Sequence, residues 1–250
     1  MLIVLSDSVL LQTEAVRAET ISRLLNGYGI ATSEEQTFEY LYDTDDTVAL
    51  QLIRERFGRF IPEGLDYQLA NLSGCWNKID IRTVKYARDF VVWLPRPSCI
   101  MSSLTEKSLA ASLSKVALDP WLETHIFICN SSSSEDSIAD SYADIVDLVH
   151  ADPRHCVVAA HSSAQVRAAK LAGMRAVGFL GGSSSPTWHG GALLSAGADE
   201  IVCDLHNLKK SIARFQSYIY DALSRRPDPA RGGDFDGQDE SPYGIHSNYW

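Results

Sequence analysis

The 250-residue sequence predicts an α/β protein: a Rossmann-like parallel-sheet core with an all-helical block inserted after the first strand. Three observations predict it. From about Ser98 onward, short all-apolar runs alternate with helical segments of about ten residues, the pattern of a parallel sheet covered on both faces. A first apolar run, Leu2–Leu5, is followed by some 65 residues of helical patterning without a convincing strand, counted from residue 14 to about residue 80. Hydrophobic content of 45% and charged content of 22% are those of an ordinary globular chain, so a core of this size can be filled.

The elements follow in order. Leu2–Leu5 is a buried parallel strand that ends in a Ser-Asp-Ser loop. From Thr13 a helix places Val16, Thr20, Leu24 and Leu25 on one face and stops at Gly27 or Gly29. In "TSEEQTFEYL", Thr32 or Ser33 caps a second helix whose first turn is acidic. "DDTVALQLIRERFGRF" and "PEGLDYQLANLSGCW" give two more. After Ile81 come a helix over 84–94 ended by "PRP", the strand "SCIM", a helix over 104–116, the strand "HIFI" and a helix over 138–150. Then follow the strand "CVVAA", a helix over 164–172, "AVGF", a helix over 191–196, "EIV" and a closing helix over 205–223. The expected division is a core of residues 1–13 and 81–223, a helical block of 14–80, and a disordered tail of 224–250 rich in Pro, Gly and Asp. The run Ser131–Ser134 reads as a flexible loop, and no internal repeat is found.

Composition narrows the function classes. A net charge of −10 without a basic patch argues against a nucleic-acid binder or a protein that docks on anionic lipid. Five cysteines are scattered singly with no C-x-x-C spacing, which suits reduced thiols in the cytoplasm better than disulfides or a zinc site. "MLIVLSDSVLLQ" lacks a basic lead and is interrupted by Asp7, so it is a poor signal peptide. No apolar run reaches the roughly 18–20 residues that span a bilayer.

The corner of "CVVAAHSSAQVRAAKLAGM" sits where ligands collect in an α/β sheet, at the carboxyl end of a strand. His161 as a base for Ser162, oriented by Asp7, is one reading. His161 as a transition-metal ligand with Asp7 and Asp136 is a second. A packed polar histidine, hydrogen-bonded to Asp7 or Ser102, is the third and the simplest. Trp188 and His189 read as loop residues near the sheet's end, either touching a ligand or packing. "GFLGG" lacks the spacing of a dinucleotide-binding turn.

The segment Asp152–Val202 resembles the haloacid dehalogenase superfamily, in the helical-cap branch that includes β-phosphoglucomutase-like sugar phosphatases. Its "AQVRAAKLAGM", "GFLGG" and "LLSAGAD" match that branch without a gap. "LIVLSDSVLLQTEA" resembles the opening strand and the way into the cap, and "PSCIMSSLTEKSLAASLSKVAL" the second motif. The likeness covers about residues 1–223. It implies an Asp nucleophile that becomes an aspartyl phosphate, a second Asp two residues on as general acid and base, a Ser and a Lys on the phosphoryl group, and Mg²⁺ between carboxylates.

Carried over position by position, most of that set is missing. Leu5 stands at the nucleophile position. Asp7 is retained at the acid/base position and Ser102 at the phosphate-holding one, while Asp136 stands at the Lys position. Ala160 and His161 replace the metal-binding acidic pair, beside a retained Ser162. An Asp in place of Lys would repel a phosphate dianion, and two unit charges ~4 Å apart at an effective dielectric of ~20 interact by roughly 4 kcal/mol. Asp7 and Ser102 also have structural uses: an Asp after a strand accepts main-chain N–H bonds, and a Ser caps the next helix. The expectation is a catalytically degenerate phosphatase homologue that binds a small phosphorylated metabolite or a protein partner in the cleft between core and cap. It carries no resident cofactor, and Mg²⁺ enters only if the chemistry of that family survives. The alternative is a working phosphomonoesterase or sugar-phosphate mutase with a non-standard site.

Overall fold

The computed structural model describes residues 2–58, 61–70, 81–122, 125–129 and 134–224. The expected tail beyond residue 224, Ser131–Ser133 and the stretch 71–80 of the helical block lie outside the described residues.

Six strands form one parallel sheet: β1 (Leu2–Ser6), β2 (Ser98–Ser102), β3 (Ile126–Cys129), β4 (Cys156–Ala160), β5 (Arg175–Phe179) and β6 (Glu200–Val202), in the order β3-β2-β1-β4-β5-β6. Their all-apolar runs follow from this placement. β1, β2 and β4 are buried at every residue because helices cover both faces. Side chains alternate between the two faces. Ile3, Leu5, Ile100, Val157 and Ala159 enter one cluster, and Leu2, Val4, Cys99, Met101 and Val158 enter the other.

The helices are α1 (Asp7–Leu10), α2 (Thr13–Gly27), α3 (Glu34–Leu41), α4 (Asp46–Phe57), α5 (Glu63–Ala70), α6 (Ala87–Trp93), α7 (Glu106–Lys115), α8 (Asp119–Leu122), α9 (Glu135–Leu148), α10 (Ser163–Leu171), α11 (Pro186–Ser195) and α12 (Leu205–Ser224). α6, α7 and α12 pack on the first face, α9 and α10 on the second. Ser33 begins α3 with a reciprocal capping box to Gln36, and Asp45 caps α4 through the N–H of Val48.

α2–α5 share an apolar cluster of their own, including Ile21, Leu25, Leu41, Ile53, Leu65 and Leu69. The chain leaves the sheet and returns to it side by side. Leu11 and Thr83 form an antiparallel bridge, Gln12 N donates to Arg82 O (2.8 Å), and Val84 N donates to Leu10 O (2.9 Å).

Three expectations are corrected. The residues after β1 form α1 rather than a loop. α6 begins three residues later than its apolar pattern, because Val84 is tied into the linker pair. α11 begins five residues earlier, so Trp188 and His189 lie on a helix and not in a loop. Pro186 supplies a preset φ at the first helical position, where its missing N–H costs nothing. Among the described residues no helix is long and apolar enough to cross a membrane.

Candidate functional site

The strand order reverses its direction of growth beside β1, so the crevice at the carboxyl ends of β1 and β4 is the natural site of this architecture. Register fixes what stands there. Leu5 pairs with Ile100 on one side and Ala159 on the other and is fully buried. It offers a methyl-lined wall with no lone pair.

Two residues on, Asp7 is 4% exposed, and both of its oxygens are engaged. Oδ2 accepts from Ser102 Oγ (2.6 Å), and Oδ1 accepts from Ser8 N (2.8 Å) and Ser8 Oγ (3.4 Å). Ser102 Oγ in turn accepts from Leu104 N (3.0 Å), so it steadies the loop while Thr105 caps α7. Burial pushes the Asp7 carboxyl up to about 6. The Ser102 bond pulls it back, and nearby Glu14 adds to the rise. The Asp7–Ser102 pair is the part of the sequence-expected set that the structure draws into direct contact.

His161 is reached from Asp7 only by a relay. Its main-chain N donates to Gln165 Oε1 (3.3 Å), and Gln165 Nε2 donates to Ser6 Oγ (3.3 Å). The ring faces elsewhere. It packs on His189 with centroids 4.4 Å apart and meets Phe38 edge-on at 6.2 Å, and its Nδ1 has no partner. The expected hydrogen bond from this ring to Asp7 or Ser102 is therefore replaced by aromatic packing, because α11 and α3 bring apolar rings to that side. Nor does a His161–Ser162 couple form: Ser162 Oγ accepts from Gln165 N (3.1 Å) as the N-cap of α10. Burial, followed by the neighbouring His189, holds the His161 imidazole well below the usual range. His189 is lowered to about 4, chiefly by burial.

Asp136 is exposed in the first turn of α9, beside Glu135, which pairs with Arg167. Among the described residues, no group of three His, Cys, Asp or Glu side chains is placed to hold a metal, so the His161–Asp7–Asp136 ligand set is not assembled. A Mg²⁺ ion of the kind the resemblance implies does not fit here. The side chains of Leu5 and Ala160 have no ligand atoms, the oxygens of Asp7 are taken by hydroxyl and amide donors, and a hard cation wants near-octahedral oxygen.

Six residues that the sequence does not single out shape this corner. Tyr42 Oη lies 3.2 Å from Ser163 Oγ and donates to His161 O (3.4 Å). Asp43 Oδ2 accepts from Ala164 N (3.0 Å) in the first turn of α10. Phe38 meets His189 at 5.3 Å, and Gln165 carries the relay. Ser185 Oγ donates to Glu39 Oε1 (2.5 Å), a further tie between α3 and the core. The aromatic sequence F-E-Y-L-Y at 38–42 marks helical packing, but nothing local says against what.

A groove of about 710 Å³ opens elsewhere, beside the linkers, between Gln12, Tyr86, Phe90, Gly182, Leu205 and Lys209. Gly182 has φ +81, and a Cβ there would meet Gln12 Cγ at 3.0 Å, so the groove's floor requires glycine.

A doubly wound parallel sheet with its crevice at β1 and β4, and a helical excursion entered directly after β1, define the class. Solved structures place the chain within it more narrowly: it has the haloacid dehalogenase-like fold. A conserved haloacid dehalogenase-like protein of unknown function from Agrobacterium tumefaciens superposes with a TM-score of 0.70 at 24% identity, covering 86% of this chain and 98% of that one. A haloacid dehalogenase-family hydrolase from Deinococcus radiodurans, solved with bound phosphate and sodium, gives 0.67 at 16% identity over 86% and 95%. A presumptive β-phosphoglucomutase from Thermotoga maritima gives 0.57 at 18% over 84% and 99%. No family model matches the chain, nor does the sequence of any curated protein.

Proposed function

We propose that the chain is a non-catalytic relative of the phosphatase-like hydrolases that share this fold. In this reading residues 14–80 are its cap, and it works by binding a small phosphorylated metabolite or a protein partner at the boundary of cap and core. The observation that carries this reading is Leu5. The position that would supply the nucleophile is a fully buried leucine between Ile100 and Ala159, and no carboxylate stands in its place. Asp7 and Ser102, the retained pair, satisfy one another and the local N–H groups, which is a structural use of both. The groove beside the linkers has the volume of a small-molecule site, and its walls carry charges of both signs, Lys85 and Lys209 with Asp89 and Asp204.

Purified protein is expected to release no phosphate above background from p-nitrophenyl phosphate or small sugar phosphates with Mg²⁺. Turnover that requires Mg²⁺ and disappears in Asp7→Ala would overturn the proposal. The fourfold variant Leu5→Asp, Asp136→Lys, Ala160→Glu, His161→Asp is expected to gain Mg²⁺ binding, read by calorimetry; if it gains none, the positional matching is wrong. The Asp7–Ser102 pair favours one other reading, an active phosphomonoesterase or mutase, because a carboxyl titrating at about 6 is suited to proton transfer.

A further inference from the structure

We propose that the groove beside the linkers is a binding site for a zwitterion, a short peptide with free ends and an aromatic side chain. Only the boundary between block and core as a place of binding is shared with the preceding reading; the crevice at β1 can be silent or catalytic.

The start of α6 forms one wall of the groove and the start of α12 the other, and each carries one cation and one anion. Their commitments differ. Asp204 caps α12: Oδ1 accepts from Asn207 N (2.7 Å) and Oδ2 from Asn207 Nδ2 (2.9 Å). Lys85, Asp89 and Lys209 are exposed and have no ion-pair partner among the described residues. The two ammonium groups lie near rings, Lys85 Nζ 4.9 Å from the Tyr86 centroid and Lys209 Nζ 4.8 Å from that of Trp93. A ring face takes none of an ammonium's hydrogen bonds to oxygen, so both lysines can still donate to an anion. Unpaired cations on both walls with an unpaired carboxylate on one match a ligand that brings both signs. A ligand that is only anionic would leave Asp89 unmatched.

The floor and the lip narrow the ligand further. Gly181 and Gly182 line the floor with main chain alone. Gly182 is held at φ +81, and a Cβ at Gly181 would run into the Phe179 ring. Beside them Gln12 Nε2 donates to Thr83 O (3.2 Å), and Oε1 is left as an acceptor. Peptide groups and a side-chain amide together offer the donors and acceptors that another peptide main chain uses. At the lip, the Tyr86 ring is 58% exposed, a flat apolar surface beside the charged groups. A volume of about 710 Å³ exceeds what a single free amino acid fills and suits a peptide of two or three residues. The ligand's carboxylate then pairs with the lysines, its ammonium with Asp89, and its aromatic side chain lies against Tyr86.

Calorimetric titration of the full chain with glycyl-phenylalanyl-glycine tests this, because each end of the ligand can be neutralised separately. The free tripeptide is expected to bind. Its N-acetyl form and its C-terminal amide are each expected to bind about tenfold more weakly, the loss of one hydrogen-bonded charge pair. Asp89→Asn should weaken the free peptide about tenfold and leave the N-acetyl form unchanged. Lys209→Met and Lys85→Met together should do the same for the free peptide against the amide. Tyr86→Gly accepts the left-handed φ of +67 at that position; it should weaken the tripeptide and leave triglycine unchanged. All four positions are exposed, so the variants are expected to fold, and a urea midpoint for each confirms it. Three results would each overturn the site: no binding of the free tripeptide at millimolar concentration, capped and free forms binding alike, or glucose 6-phosphate binding more tightly than the tripeptide. The last would leave the phosphorylated-metabolite reading standing, so the two fail separately.

Discussion

Asp7 shows most directly how a single residue's surroundings outweigh its type. Its folded pKa of about 6 lies above the ordinary 3.8, so the native chain holds the proton more tightly than the unfolded one. The contribution of this carboxyl is fully present below about 3.8 and is lost as pH rises through about 6. Asn mimics the protonated form and can still accept from Ser8 N and donate to Ser102 Oγ. Asp7→Asn is therefore expected to be more stable than the parent by about 3 kcal/mol at pH 8, with the gap closing near pH 4. Urea unfolding of both proteins across that range checks it; a gap that does not change with pH would sink it. His161 and His189 act with the opposite sign. Their depressed values make stability fall as pH drops below about 6.5, so it is the difference between parent and variant that reports Asp7. At this scale the sequence was partly legible. Asp7, Ser102 and Leu5 could be placed by their distance from apolar strand ends. Tyr42 and Asp43 could not, because their roles depend on a tertiary contact more than a hundred residues away in the chain.

At the scale of elements, strands were the most readable part. A strand buried on both faces needs an unbroken apolar run, and β1, β2, β4 and β5 have one. The start of α11 is hidden in the sequence because Ser183–Ser185 has the composition of a loop and Gly190–Gly191 interrupts the helical pattern. The position of α11 depends on a glycine in the strand beneath it. A Cβ at Gly178 of β5 would lie 2.5 Å from Ile201 Cδ1 and 3.2 Å from Leu193 Cβ. The isoleucine tip can turn away, but Leu193 Cβ is fixed to the helix. Gly178→Ala is thus expected to lift α11 and to cost about 1–3 kcal/mol by overpacking. The urea midpoint should fall with an unchanged slope. Because His189 rides on α11 against His161, the variant should also loosen the ring packing there, visible as shifted imidazole resonances.

For the molecule as a whole, the decisive fact is how the apolar clusters divide. The two clusters that sandwich the sheet draw on β1, β2, β4, β5 and β6, α1, the linkers and the helices from α6 onward, with β3 packed against one of them and no residue of α2–α5 in either. The third draws on α2–α5, their connecting loops and residues of 13–70 alone. The two bodies meet through a polar and aromatic corner, where Phe38 and Tyr42 pack on His161, Trp188 and His189, and the aliphatic clusters lie on one side of it or the other. Leu11 and Thr83 already lie in a bridge, so a linker of about four residues can close the gap left by residues 14–80 at little entropic cost. A chain with that deletion is expected to unfold cooperatively in urea, with a smaller slope because less surface is exposed. It is also expected to associate more readily, since Trp188, His161 and His189 lose the cover of Phe38 and Tyr42. A truncated chain with no cooperative transition would mean that the block is needed to complete the core, and residues 14–80 would then not be a separable unit.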